Sequence, residues 1–151
     1  MRAALPDNRA VRAPCDRRGT SHTPSLRGNA IANRRHALGA RAEAAVARWL
    51  SSAGWTILDR RWRTSSGELD LVCLDTSARL VGVEVRLRTS GRAGSPLESI
   101  TARHRSRLRA AVVAYALENR LRHAGLRVDL VAVTPSRDAW HVVRHAGIDA
   151  W

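Results

Sequence analysis

Two short segments of alternating character constrain this chain more than any other feature, Gly67-Glu68-Leu69-Asp70-Leu71-Val72 and Val83-Glu84-Val85-Arg86. A β-strand turns successive side chains to opposite faces. In the second segment Val81, Val83, Val85 and Leu87 therefore share one face, and Gly82, Glu84, Arg86 and Arg88 the other. In the first, Leu69, Leu71 and Cys73 oppose Glu68, Asp70 and Val72. Pairing the two as a hairpin, across a turn near residues 76–79, brings Asp70 and Glu84 to one point with Arg86 just beyond. Two carboxylates and a cation converging in an apolar sheet are what a hard divalent metal site needs. The same alternation also suits ordinary solvent-facing acids, with Arg86 and Arg88 as their salt-bridge partners.

The flanking segments set the fold class. Residues 36–53 carry Leu38, Ala42, Ala45, Val46, Trp49, Leu50 and Ala53 at helical spacing, and Gly54 supplies a stop, which predicts an amphipathic helix. Glu43 lies at the border of its apolar face, where a carboxylate either leans over the sheet or is simply solvated. Residues 55–62, 68–74 and 80–88 read as strands, and 89–96 as a Gly, Ser and Arg loop. A second helix is predicted over 101–122, with Leu108, Ala111, Val112, Tyr115 and Leu121 inward and Gly125 closing it. Residues 126–134 form a nearly continuous apolar strand, and 140–144 a short last one. The order helix, three strands, helix, strand, strand predicts an α/β fold, a mixed sheet flanked by helices.

Cations crowd the start of the second helix. Arg103, Arg105, Arg107 and Arg109 stand there with His104, and Arg88 and Arg92 precede them. Positive side chains at a helix N-terminus do not offset the macrodipole, which is already positive at that end. A phosphate bound nearby explains them; so does a solvated charged face in an arginine-biased protein. All 26 basic residues are arginine, and the net charge is +13. The alanine excess suggests a coding bias that lowers the weight of any single arginine, but the charge still favours a polyanionic partner. Nucleic acid is the first candidate and an anionic membrane surface the second. No run of about 18 apolar residues is present to span a bilayer, so no membrane is expected.

Residues 1–35 hold eight arginines against two acids with no apolar periodicity, which predicts a disordered basic extension ahead of a domain over 36–151. Such an arm adds non-specific affinity for nucleic acid, resembles a transit peptide, or is an untidy extension. Cys15 and Cys73 form no disulfide framework or zinc spacing, so a reduced, cytoplasmic protein is expected. Trp62 is either a stacking surface for an unpaired base or a core residue.

Five stretches together carry a resemblance: Gly39-Ala40-Arg41-Ala42-Glu43-Ala44-Ala45, Trp49-Leu50 with Gly54-Trp55, Gly67 to Val72, Val83-Glu84-Val85-Arg86-Leu87-Arg88, and Arg127-Val128-Asp129-Leu130-Val131-Ala132-Val133. In order and spacing they resemble the YraN-like family over residues 36–144. That family is grouped with the restriction-endonuclease-like (PD-(D/E)xK) nucleases and is similar to the archaeal Holliday-junction resolvases. The resemblance implies an αβββαβ core and Mg²⁺ or Mn²⁺ as cofactor. It makes Asp70 and Glu84 the metal-binding acids, Glu43 the accessory acid and Arg86 the catalytic basic residue. The wider pattern has lysine at the Arg86 position, and the family tends to carry a lysine where His104 stands. Arginine stabilises negative charge but cannot accept a proton.

The expected chemistry is hydrolysis of phosphodiester bonds in branched or single-stranded DNA during repair or recombination. Asp70, Glu84, Glu43 and the carbonyl of Val85 would hold the metal, with Glu68 in support, orienting Arg86 or an outer-shell water, and His104 either a titratable substitute for the missing lysine or a sign of decayed catalysis. Arg88, Arg92, Arg103, Arg105 and Arg107 would hold the flanking nucleic-acid backbone. DNA is favoured over RNA, and a homodimer follows from the resemblance alone, since resolvases cut two strands. The competing expectation is a catalytically inactive nucleic-acid-binding module of the same fold. A third, a scaffold working through its basic arm, makes the acids dispensable.

Overall fold

The computed structural model describes residues 11–14, 27–65, 67–89 and 95–149. Six strands form one sheet, β1 (Val11–Pro14), β2 (Thr56–Thr64), β3 (Gly67–Leu74), β4 (Leu80–Leu87), β5 (Leu126–Pro135) and β6 (Ala139–His145), with two long helices, α1 (Arg27–Ser52) and α2 (Ala102–Glu118). The spatial order is β1-β6-β5-β4-β3-β2. Strands β2, β3 and β4 form an antiparallel meander, β4 and β5 run parallel through the α2 crossover, and β6 pairs antiparallel with β5. From α1 to β5 this is the αβββαβ order expected of a restriction-endonuclease-like core. No described helix is long and apolar enough to cross a membrane.

The sheet is buried on both faces, which is why its central strands are apolar almost throughout. On one face α1 packs Ala42, Ala45, Val46, Trp49 and Leu50 against Leu71, Cys73, Val81, Val83, Val131 and Val133. On the other, α2 packs Leu108, Ala111, Val112, Tyr115 and Ala116 against Leu69, Val72, Leu80, Val128 and Leu130. Gly82 lets α2 approach closely: a Cβ there would overlap Val112 Cγ2 and press on Leu69 Cδ2 at 3.0 Å.

Four expectations need correction. The first helix begins at Arg27, not near residue 36. Its extra turns, from Ile31 to Ala37, are exposed, so helix-favouring residues there left no apolar periodicity to read. Within the stretch expected to be disordered, residues 11–14 also pair with β6; residues 1–10 and 15–26 lie outside the described residues. The second helix ends at Glu118, four residues before 122. Leu69 packs on the α2 face whereas Leu71 packs on the α1 face, so strict alternation fails between them. The partner strand turns at the same level: its register runs unshifted from Arg60↔Leu71 to Trp62↔Leu69, the one shift lying between Ile57 and Asp59, but Arg61 between those pairs has φ 53°. Both strands turn over at one point, which is the level of Asp70.

Candidate functional site

The β3 and β4 ladder runs from Leu74↔Leu80 to Leu71↔Val83. Beyond that pair the next residues in register are Asp70 and Glu84, and the Asp70 carboxylate takes over from the backbone: Oδ2 accepts the N–H of Val85 at 2.7 Å. The hairpin is set by Asp75, whose Oδ1 accepts the N–H groups of Ser77 (2.8 Å) and Arg79 (3.0 Å), an Asx-type turn that fixes the register. Gly67, with φ 155°, opens β3 in a conformation that side chains rarely adopt.

Both acids open on one cleft of about 370 Å³, lined by Arg61, Gly67, Glu68, Asp70, Glu84, His104, Arg107 and Leu108. Burial and then the charge of Glu84 push Asp70 up to about 7, against the pull of the Val85 N–H. Glu84 is only 8% exposed. Burial raises its pKa, Arg86 opposes that rise, and Glu68 and Glu43 add to it. Glu43, half-buried on α1, acts on both acids through its charge.

Around Glu84 the cations are arranged closely. Arg86 Nη2 lies 3.0 Å from Glu84 Oε1, and His104 Nε2 lies 3.3 Å from the same oxygen. His104 Nε2 is also 3.3 Å from Arg86 Nη2. One nitrogen cannot serve both at once: protonated it donates to Glu84, bare it accepts from Arg86. Burial, then Arg86 and Arg107, lower the His104 pKa, which keeps the ring neutral near pH 7. Thr101 holds it in place, its side chain accepting the His104 N–H at 3.1 Å as the N-cap of α2. Arg86 Nε is buried with no hydrogen-bond partner among the described residues, a donor left over at the centre of the site.

The remaining candidates divide. Arg107 lines the cleft; Arg103 is exposed in the first turn of α2, and Arg105 and Arg88 are half-buried outside the cleft lining. Arg92 lies outside the described residues. Arg109 pairs instead with the buried Asp149 at 2.5 Å. Glu68 lines the cleft, but its ion-pair partners are Arg61 (3.5 Å) and Arg63 (3.0 Å) on β2, whereas Arg86 pairs with Glu84. Trp62 stands edge-on to Tyr115 with centroids 5.0 Å apart and packs on the α2-side core, so it is a core residue. Cys73 is buried, and burial holds its thiol protonated with a pKa near 12, so it takes no part.

Two features were not anticipated. Arg61 enters the cleft because of the left-handed turn at its own position, which no residue-type signal marks. Asp129 is fully buried and accepts from Arg127 Nε (2.8 Å), Arg144 Nε (2.8 Å) and Gly147 N (3.0 Å), while both guanidinium groups sit over the Trp55 ring. That network ties β5 and β6 to the end of α1.

As for a metal ion, no three Asp, Glu, His or Cys side chains among the described residues group closely enough to hold one alone. The donor chemistry nevertheless fits a hard ion. Asp70 and Glu84 are oxygen donors that repel one another in a largely buried site, and Mg²⁺ commonly takes only one or two carboxylates with waters and phosphate oxygens.

Residues 42–133 match the model of the uncharacterised protein family UPF0102. This span contains Glu43, Asp70, Glu84, Arg86 and His104. The UPF0102 protein of Anaeromyxobacter dehalogenans (strain 2CP-C) is 47% identical over 100 residues, 66% of this chain and 74% of that protein. That of Acidothermus cellulolyticus is 46% identical over 98 residues, 65% of this chain and 70% of its own. That of Nocardioides sp. is 36% identical over 120 residues, 80% of this chain and 96% of its own.

Proposed function

We propose that this chain, which belongs to the UPF0102 family, is a divalent-metal-dependent endonuclease that hydrolyses phosphodiester bonds in single-stranded or branched DNA. The observation that carries this reading is the Asp70 carboxylate standing where the β3 and β4 ladder opens, beside buried Glu84 and raised to about 7 in a cleft with basic walls. An anionic pocket that resists its own ionisation is short of a cation.

Asp70 and Glu84 would hold the ion, with the Val85 carbonyl beside them and Glu43 adding its charge from α1. When bound, the ion supplies Lewis acidity toward the phosphate and a water of lowered pKa. The chain's own groups do the rest. Arg86, already against Glu84, swings its spare donors onto a phosphate oxygen and steadies the charge that builds there. It cannot act as a base, since its guanidinium stays protonated. Neutral His104 presents Nε2 at the cleft and takes up a proton there. Arg107 holds the neighbouring backbone phosphate.

The test is cleavage of labelled single-stranded, flapped and four-way-junction DNA with Mn²⁺ or Mg²⁺ by wild type, Asp70→Ala and Glu84→Ala. Metal-dependent cutting that disappears in both variants is the expected result. A second reading, a non-catalytic nucleic-acid-binding module, is favoured by the commitment of Arg86 to Glu84 where the wider pattern has a lysine. Under that reading wild type binds DNA without cutting it, and Mn²⁺ stabilises all three proteins equally.

A further inference from the structure

Arg61 is the one arginine of β2 that lines the cleft, although Arg60, Arg61 and Arg63 follow one another closely on this edge strand. Its φ of 53° puts it in the left-handed region, a strained conformation for a residue with a Cβ. No glycine relieves that position. The β2 and β3 register passes over it, from Arg60↔Leu71 to Trp62↔Leu69, so Arg61 stands opposite Asp70. The turn that strains Arg61 is therefore the turn that swings its side chain onto the acids. Across the cleft stands Arg107 from α2, over Gly67. Two arginines thus flank a floor of carboxylates that would by itself repel a phosphate.

Glu68 links the two sides of this arrangement. It pairs with Arg63 at 3.0 Å and with Arg61 at the longer distance of 3.5 Å. Both arginine side chains reach solvent, Arg63 at 70% and Arg61 at 43% exposed, but of the two only Arg61 lines the cleft, beside the Glu68 that also lines it.

We infer that Arg61 is a phosphate-binding residue of this cleft: it holds a backbone phosphate of single-stranded nucleic acid beside Asp70 and Glu84, and Glu68 serves as its counter-ion until that phosphate arrives. The inference rests on the nucleic-acid reading of the site given above. A bound phosphate replaces Glu68 as the partner of the Arg61 fork, a planar bidentate match that a carboxylate at 3.5 Å does not supply.

The experiment is anisotropy of a labelled single-stranded oligodeoxynucleotide with the full chain in EDTA, so that no cutting occurs, together with thermal melting of each variant. Arg61→Gly keeps the left-handed turn and removes the side chain. Its affinity is expected to fall about tenfold, its salt slope to drop by about 0.7, and its melting temperature to hold or rise. Arg63→Ala, which loses the same Glu68 partner, is expected to change affinity less than about twofold. Glu68→Gln should tighten binding, and this gain should shrink in the Arg61→Gly background to what loss of one negative charge from the cleft gives by itself. Arg61→Gly binding as wild type, or no more weakly than Arg63→Ala, overturns the inference. Wild type that binds no oligonucleotide overturns both this inference and the nucleic-acid reading, whereas loss of cleavage function alone leaves the binding comparison standing.

Discussion

A carboxylate that accepts a backbone N–H at 2.7 Å should titrate below its ordinary value, yet Asp70 is raised from 3.8 to about 7 because burial and the neighbouring Glu84 outweigh that bond. Folded Asp70 therefore keeps a proton between about 4 and 7 that the unfolded chain has lost. Stability from this group is full below 3.8 and is lost as pH rises through about 7. Asp70→Asn retains an acceptor for Val85 and removes the charge. At pH 8 it should melt several degrees above wild type, reflecting a gain on the order of 3 kcal/mol, and the gain should shrink as pH falls toward 4. His104, lowered by burial and Arg86, runs the opposite way, and since the Asp70 charge opposes that lowering, Asp70→Asn lowers it further. A variant that melts below wild type at pH 8 would remove the argument that Asp70 is strained by its charge. On the proposed reading a metal ion competes with the same proton, so calorimetric titration with Mn²⁺ should show affinity rising about tenfold per pH unit below 7 and levelling above it.

The two helices end in the same way, and only one of the two ends was legible. At α1, Trp55 N–H bonds Leu50 O and Gly54 N–H bonds Ser51 O, with Gly54 at φ 86°. At α2, Leu121 N–H bonds Ala116 O and Arg120 N–H bonds Leu117 O, the same Schellman arrangement with Arg120 at φ 48°. Gly54 announced the first stop; Arg120 hid the second and moved the expected end toward Gly125. Arg120→Gly should accordingly stabilise the protein by about 0.5–1 kcal/mol in urea unfolding, and destabilisation would show that the side chain has a role beyond the cap. Gly82 gives the opposite case. Gly82→Ala drives a methyl into Val112 and Leu69 and should cost about 1–3 kcal/mol, with loss of activity because Glu84 is two residues along the same strand. Period-two alternation was enough to place Asp70, Glu84 and Arg86 on neighbouring strands. It failed at Leu69 and Arg61, where a left-handed residue turns both strands over, since backbone strain has no signature in residue type. Asp129 was likewise seen as part of an apolar strand, because its partners Arg144 and Gly147 come from beyond the next turn.

The whole molecule carries +13, and its cleft sets acids at the floor among basic walls. These two scales of charge act on a polyanion at different ranges. The net field gathers it from any direction and is screened within about 10 Å at 0.1 M salt. On the proposed reading four arginines act at contact: Arg61 and Arg107 from the cleft lining, Arg86 beside Glu84, and Arg103 on the exposed start of α2 would each meet a phosphate. Four such contacts on a single strand give a slope of about −3 in log affinity against log salt, so raising salt from about 50 to 200 mM should weaken binding roughly 60-fold. Asp70→Ala removes negative charge from the floor without touching a phosphate contact, and Glu84→Ala removes charge while freeing Arg86 from its ion pair. In EDTA both should bind DNA more tightly than wild type while keeping its salt slope, even though neither can cut. Anisotropy titrations at three salt concentrations separate the outcomes. A shared slope with tighter binding places the acids under the phosphate path. A slope near zero in all three proteins would mean that the arginines serve only solubility, and the nucleic-acid reading would then have no physical support.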